Sequence, residues 1–143
     1  MSSLPAGSQK VAGCRLVLSD PKKGVAQSFV LTPEQLQTCV GKKIGSVLDG
    51  SVLGIKNKIR LTGGTDAYGF PIRPDVQGAR KAEVLVSGGV GYHPRHKPPS
   101  KRKKKRNKRP VKGKRKRVLV RGNVVPDNAA QINAVISGDS QPS

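Results

Sequence analysis

Residues 14–31 read CRLVLSDPKKGVAQSFVL and carry the signature of a β-hairpin. Residues 14–19 are mostly apolar and β-branched or leucine. Asp20-Pro21-Lys22-Lys23-Gly24 is turn chemistry, and residues 25–31 alternate again. Alternation places Val25, Gln27, Phe29 and Leu31 on one face of the second strand. Thr32-Pro33-Glu34-Gln35 follows directly and starts a helix. Thr32 is the expected N-cap, Pro33 fits the first helical position, Glu34 favours the positive end of the helix and Gln35 can close a capping box. Gly41 ends it after about two turns, so this helix must lean on a sheet.

Beyond the helix the pattern stays β. Residues 44–53 contain Asp49-Gly50, a two-residue hairpin signal. Residues 58–62 (KIRLT) alternate, with Ile59 and Leu61 expected inward. Residues 63–75 form a loop dense in Gly and Pro, whose conformation is specified rather than slack. Residues 82–86, 118–121 and 131–136 supply the last strands. Six or seven short strands, one short helix and many turns predict a mainly β protein, a small β-barrel or a partly open roll, carrying a long basic loop; the barrel is the reading carried forward. The expected organisation is one domain over 13–137, with 1–12 a loose tail and 138–143 a short polar tail.

The charge is concentrated in one place. The chain has 28 Lys and Arg against 8 Asp and Glu, a net +20. Residues 95–121 read RHKPPSKRKKKRNKRPVKGKRKRVLVR, with 16 basic residues among 27 and no acid. The remainder has 12 basic and 8 acidic residues, only +4. Such an arm lacks the apolar surface to fold on itself, and Pro98, Pro99 and Pro110 keep it from being one helix. Extended, residues 97–117 span roughly 70 Å, whereas a body of this size has a radius of gyration near ~13 Å. The partner that would order it is a polyanion with closely spaced phosphates, where each cation releases a condensed counterion. The expected RNA contacts are Arg95, Lys97, Lys101, Arg102, Lys103, Lys104, Lys105, Arg106, Lys108, Arg109, Lys112, Lys114, Arg115, Lys116, Arg117 and Arg121, with Arg73 beside the glycine-rich loop. The arm has no apolar residues spaced to enter a membrane, and no apolar run approaches the length of a membrane span. The first residues have no apolar core of the kind a secretory signal carries.

Four aromatic residues and no Trp argue against base-stacking platforms, so recognition should rest on phosphates and shape. Catalytic and metal sets are missing from the pattern. His93 and His96 are two ligands, not four, and are surrounded by cations. Gly88-Gly89-Val90-Gly91 follows a strand but has no GK[ST] after it. Asp20, Asp49 and Asp127 sit where turns want them. The expectation is a non-enzyme with no cofactor, no metal and no small-molecule substrate. Cys14 and Cys39 read as small buried hydrophobes, with a disulfide between them as an alternative.

Three stretches together resemble a known family: LTGGTDAYGFPIRPDV (61–76), LVSGGVGYHPR (85–95) and KRKRVLVRGNVVPDNAAQINAVI (114–136). They are similar to the sixth protein of the archaeal and eukaryotic small ribosomal subunit, which is unrelated to the bacterial protein of that number. Residues 16–31 and 41–54 match its archaeal branch, and the resemblance covers about residues 13–137. It implies a structural constituent of the cytoplasmic ribosome, bound to small-subunit ribosomal RNA and neighbouring ribosomal proteins, with a small β-barrel body. By position its loop motif falls on Gly63, Gly64, Asp66, Gly69, Phe70 and Pro71, and its VRG on Val120, Arg121 and Gly122. Two departures stand out. The basic loop is longer than the family's, by roughly residues 98–112. The long C-terminal helix and serine cluster of eukaryotic members have no counterpart up to Ser143, so that signalling role is not carried over. Charge alone also fits a chromatin-like DNA-binding protein, although compaction of DNA does not need a GGTDAYGFP loop.

Overall fold

A computed structural model describes residues 13–94 and 112–137. The expected tails at 1–12 and 138–143, and residues 95–111 of the basic arm, lie outside the described residues. The elements in chain order are β1 (Arg15–Asp20), β2 (Val25–Val30), α1 (Pro33–Cys39), β3 (Val47–Asp49), a 3-10 turn (Gly50–Leu53), β4 (Lys58–Asp66), β5 (Lys81–Val86), β6 (Lys116–Arg121) and β7 (Ala129–Ile136). The protein is mainly β with one short helix, as expected.

The strands form a five-stranded sheet in the order β2-β1-β7-β4-β3 and a separate β5–β6 ribbon. Among the described residues no ladder closes these into a barrel, so the expected closure is replaced by an open sheet with edges at β2 and β3. β1 and β7, the first and last strands, pair in parallel at its centre, with Leu16 opposite Ile132 and Leu18 opposite Ala134. On the other side β7 pairs antiparallel with β4, placing Leu61 opposite Ala134 and Ile59 opposite Ile136. Period-2 alternation therefore puts Leu16, Leu18, Ile59, Leu61, Ile132 and Ala134 on one face, and all six are buried. Cys39 of α1, Leu31 and Val125 cover that face, with Leu36 and Ile44 packed against it. The helix is short and holds its place by this burial. Its N-terminus is capped as read from the sequence: Gln35 N–H donates to Thr32 Oγ1 (3.4 Å), and Thr32 N–H donates to Gln35 Oε1 (3.1 Å).

Three details differ from the sequence reading. β2 is exposed on both faces; Phe29 is 41% exposed, and of the four residues placed on one face, Val25, Gln27, Phe29 and Leu31, only Leu31 is buried. An edge strand has a neighbour on one side only, so alternation alone does not bury it. Asp49-Gly50 is not a two-residue hairpin turn. Asp49 is extended (φ −73°, ψ 121°), whereas such a turn needs left-handed residues, so the chain passes through the 3-10 turn before pairing as β4. Finally, the strand begun at Lys58 continues through Gly63 and Gly64 to Asp66, with register shifts between Leu61 and Gly63 and between Thr65 and Asp66. The expected loop therefore starts as a bulged strand.

Residues 70–73 join the ribbon to the sheet. Ile72 N–H donates to Gly64 O and Asp66 N–H to Phe70 O on the β4 side (2.9 and 3.1 Å). On the ribbon side, Arg121 N–H donates to Pro71 O and Arg73 N–H to Arg121 O, both at 2.9 Å. Just past β6, Gly122 lies against the backbone of Gln77 and Gly78. A Cβ there would run into the Gly78 carbonyl. We expect Gly122→Ala to cost about 3 kcal/mol, since backbone must yield to admit the methyl; chemical denaturation of both proteins measures it.

The two cysteines are free and buried. Burial, and then the neighbouring Cys39, push the Cys14 thiol up to about 11; burial raises Cys39 as well. Both should stay protonated and unreactive towards a thiol reagent at pH 8 in the native protein, and both should react at once in denaturant. Rapid labelling of either thiol in the folded state would contradict this packing.

Candidate nucleic-acid interface

The centre of the interface region is a buried carboxylate. Asp66 ends β4 with its side chain fully enclosed. Its Oδ1 accepts the N–H groups of Tyr68 (3.0 Å) and Phe70 (2.9 Å), which shapes the GG-x-D-x-x-GFP turn. Its Oδ2 accepts Nε of Arg121 at 2.9 Å. Arg121 extends the network, donating from Nη1 to Ala79 O (2.9 Å) and from Nη2 to Asn128 Oδ1 (3.3 Å). Burial alone would raise the Asp66 carboxyl. The hydrogen bonds from Arg121, Phe70 and Tyr68, with the Arg121 charge, outweigh it and hold the group below the usual carboxylate range.

The glycine-rich loop draws on this network. Its N–H groups are used inside the protein: besides Tyr68 and Phe70, Ala67 donates to Asn128 O (2.9 Å) and Gly69 to Asp66 O (3.1 Å). The loop closes structure instead of offering a row of free donors. Gly64 is required because a Cβ would meet the Gln131 carbonyl of β7. Phe70 and Pro71 are half-buried, Pro71 leading into the bridging segment.

The expected RNA contacts separate into two groups. Arg121 is spent on Asp66, Ala79 and Asn128. Arg73 is spent similarly: its Nε meets the Asp75 carboxylate at 2.8 Å, and its Nη1 donates to Val90 O at 2.8 Å, tying the 87–92 loop down. Their side chains are only 14% and 16% exposed, so both act as internal ties. Lys112, Lys114, Arg115, Lys116 and Arg117 are exposed and lead into or begin β6. β6 pairs with β5 in the register Lys116–Val86 and Arg117–Leu85, so these cations sit at the open end of the ribbon from which the arm departs. Arg95, Lys97, Lys101, Arg102, Lys103, Lys104, Lys105, Arg106, Lys108 and Arg109 lie outside the described residues.

Lys81, like Arg73 and Arg80, lies beside the glycine-rich loop in the sequence, and the fold sets it against that loop. Its Nζ stands 4.2 Å from the Tyr68 ring centre and 4.9 Å from that of Phe70, so the lysine is held over two aromatic rings. Its nearness to the loop is legible in the sequence, and its place over both rings comes from the fold.

Comparison with known proteins gives a consistent set. The profile of the family described as Ribosomal protein S6e matches residues 14–111. The small ribosomal subunit protein eS6 of Archaeoglobus fulgidus is 38% identical over 124 residues, spanning 85% of this chain and 84% of its own length. Its namesake in Methanocella arvoryzae is 37% identical over 128 residues, covering 89% of this chain and 80% of that protein. The protein of the same name from Pyrobaculum islandicum is 42% identical over 130 residues, covering 85% and 76%.

Replacing Asp66 by Asn removes the anion but leaves the Arg121 guanidinium largely buried. We expect a loss of about 3–5 kcal/mol, the range for breaking one side of a buried pair. The pH dependence follows from the lowered carboxyl. Its stabilisation is complete above the ordinary Asp value near ~3.9 and disappears as pH falls through the lower folded-state value. The stability gap between wild type and Asp66→Asn should therefore be constant from pH 7 down to about 4 and shrink below it. Urea titrations at stepped pH read this directly.

Proposed function

The chain belongs to the ribosomal protein S6e family, and on that premise we propose that its cations at 95–117 bind small-subunit ribosomal RNA. The protein is a structural constituent of the small ribosomal subunit, works in the cytoplasm as part of the ribosome, and is not an enzyme. Its partners are ribosomal RNA and neighbouring ribosomal proteins.

The observation that carries the RNA reading is the uncompensated charge on one ribbon. Residues 95–117 hold 15 Lys and Arg and no acid, and their described part, Lys112 to Arg117, stands exposed at the end of β5–β6. Arg supplies paired donors to phosphate oxygens, and Lys supplies mobile point charge, so the mixed run suits an irregular phosphate surface. The buried network around Asp66 holds the ribbon to the body, which makes residues 13–137 one working unit with the arm as its contact element. Arg73 and Arg121 serve by positioning that ribbon.

The purified protein should bind small-subunit RNA with an affinity that falls steeply in salt. Six to ten phosphate contacts give a log–log slope of about −4 to −9, at ~0.7–0.9 per contact. A slope near ~−1 would sink the arm as the main contact. Sedimentation of a lysate at rising salt separates the DNA alternative: the protein should travel with the small subunit and leave it only at high salt. Retention on DNA instead would favour the chromatin-like reading.

A further inference from the structure

A second cationic feature lies at the end of β7 away from the joint with the ribbon. The β1–β2 turn, the approach to β4 and the end of β7 enclose an open cleft of about 1030 Å³. Five basic side chains line it, Lys22, Lys23, Lys56, Lys58 and Arg60, and all five residues are exposed. The chain outside the arm has 12 basic residues in all, so nearly half of them converge on this one concavity. One carboxylate, Asp20, also lines it. Asp20 Oδ1 accepts the backbone N–H groups of Lys22 (3.0 Å) and Lys23 (3.3 Å), so it is committed to its own turn. Among the described residues the salt bridges are Arg73–Asp75 and Arg121–Asp66, both elsewhere. The five cations therefore face each other across a cleft with no carboxylate paired to any of them. Gathering like charges in a concave surface costs stability and focuses the field, an arrangement that favours an incoming polyanion.

The position of the cleft separates it from the joint that carries the ribbon. β7 pairs with Asp66 at Ala129 and with Ile59 at Ile136. The ribbon thus attaches near the start of β7, and the cleft opens at its end. Eight residues of strand place the two roughly 24 Å apart, at ~3.4 Å per step. The joint that carries the ribbon and the cleft thus stand at opposite ends of β7.

We propose that this cleft is a second RNA-backbone site, so that the protein clamps two separate stretches of ribosomal RNA. The proposal rests on the RNA reading above and extends it to a part of the chain that reading does not use. Lys58 and Arg60 alternate on the outer face of β4 and form one wall; Lys22 and Lys23 on the β1–β2 turn form the other. An RNA strand lying between them would be neutralised from both sides. An acidic protein segment is the competing occupant.

The test uses the full chain and small-subunit ribosomal RNA transcribed in vitro. The variant Lys22→Gln/Lys23→Gln/Lys56→Gln/Lys58→Gln should melt no lower than wild type, since these side chains are exposed and their loss relieves like-charge repulsion. It should lower the magnitude of the log–log salt slope by about 3, at ~0.7–0.9 per lost contact, while binding through the arm persists. The matching Lys→Arg variant, which keeps the charge, should restore the slope. Mass-spectrometric acylation should show Lys22, Lys23, Lys56 and Lys58 protected severalfold by the RNA. An unchanged slope and undiminished acylation of these lysines in the RNA complex would overturn the cleft site while leaving the arm intact. Protection by polyglutamate but not by RNA would also overturn it, reassigning the cleft to an acidic segment. Failure of wild type to bind the RNA at all would remove both readings together.

Discussion

The architecture turns on one carboxylate that water does not reach. Asp66 faces the desolvation cost of a buried anion, and an unpaired charge there would be strongly unfavourable. The surrounding chain satisfies it with two backbone N–H groups and the guanidinium of Arg121, 55 positions away in sequence. That requirement explains several residues at once. The two N–H donors fix the path of residues 66–70, and the bridging segment at 70–73 then lies between β4 and β6. Arg121 must approach from β6, which brings Gly122 so close to Gly78 that no side chain fits. The glycines at 64 and 122, the aspartate and the arginine are thus parts of a single joint. A buried pair is weak evidence for high stability, because hydrophobic replacements often do as well. Its contribution here is to orientation: it specifies how a two-stranded ribbon meets a five-stranded sheet.

How much of this could be read from the sequence depended on distance along the chain. The β1–β2 hairpin and the capping box of α1 were legible because their signals lie within a few neighbouring residues. Ile59 and Leu61 were assigned to the core by alternation, and both are buried. The central pairing of β1 with β7 was not legible, because nothing local links residues 16 and 132. The role of Arg121 was obscured by its setting. It ends a basic run, and composition gave it the same job as its neighbours; only the fold shows that this one arginine turns inward. Phe29 illustrates the opposite failure, an apolar residue in a well-formed alternating strand left exposed because β2 is an edge.

The interface region shows a division that composition cannot express. Lys112, Lys114, Arg115, Lys116 and Arg117 are exposed, while Arg73 and Arg121 are tied to carboxylates and carbonyls of the protein itself. Counting cations along the chain treats these as equivalent. Burial and partner geometry separate the charges available to an outside anion from those that hold the structure. The same criterion draws attention to Lys22, Lys23, Lys56, Lys58 and Arg60, which look like ordinary surface lysines and arginine in sequence but converge in one cleft.

The ribbon also constrains how the arm can work. Val86 and Lys116 are paired across β5 and β6, so the segment between them, residues 87–115, begins and ends about one strand spacing apart, near ~5 Å. The segment between them must leave and return at the same place. Anchoring both ends raises the effective concentration of every cation near that point compared with a free tail. It also lowers the entropy that binding must remove, because loop closure has already been met in the folded protein. Those advantages require a ribbon that does not swing on the body. The Asp66–Arg121 joint ties the ribbon to the sheet, so a buried ion pair far from the arm in sequence governs where the ribbon that carries it is held.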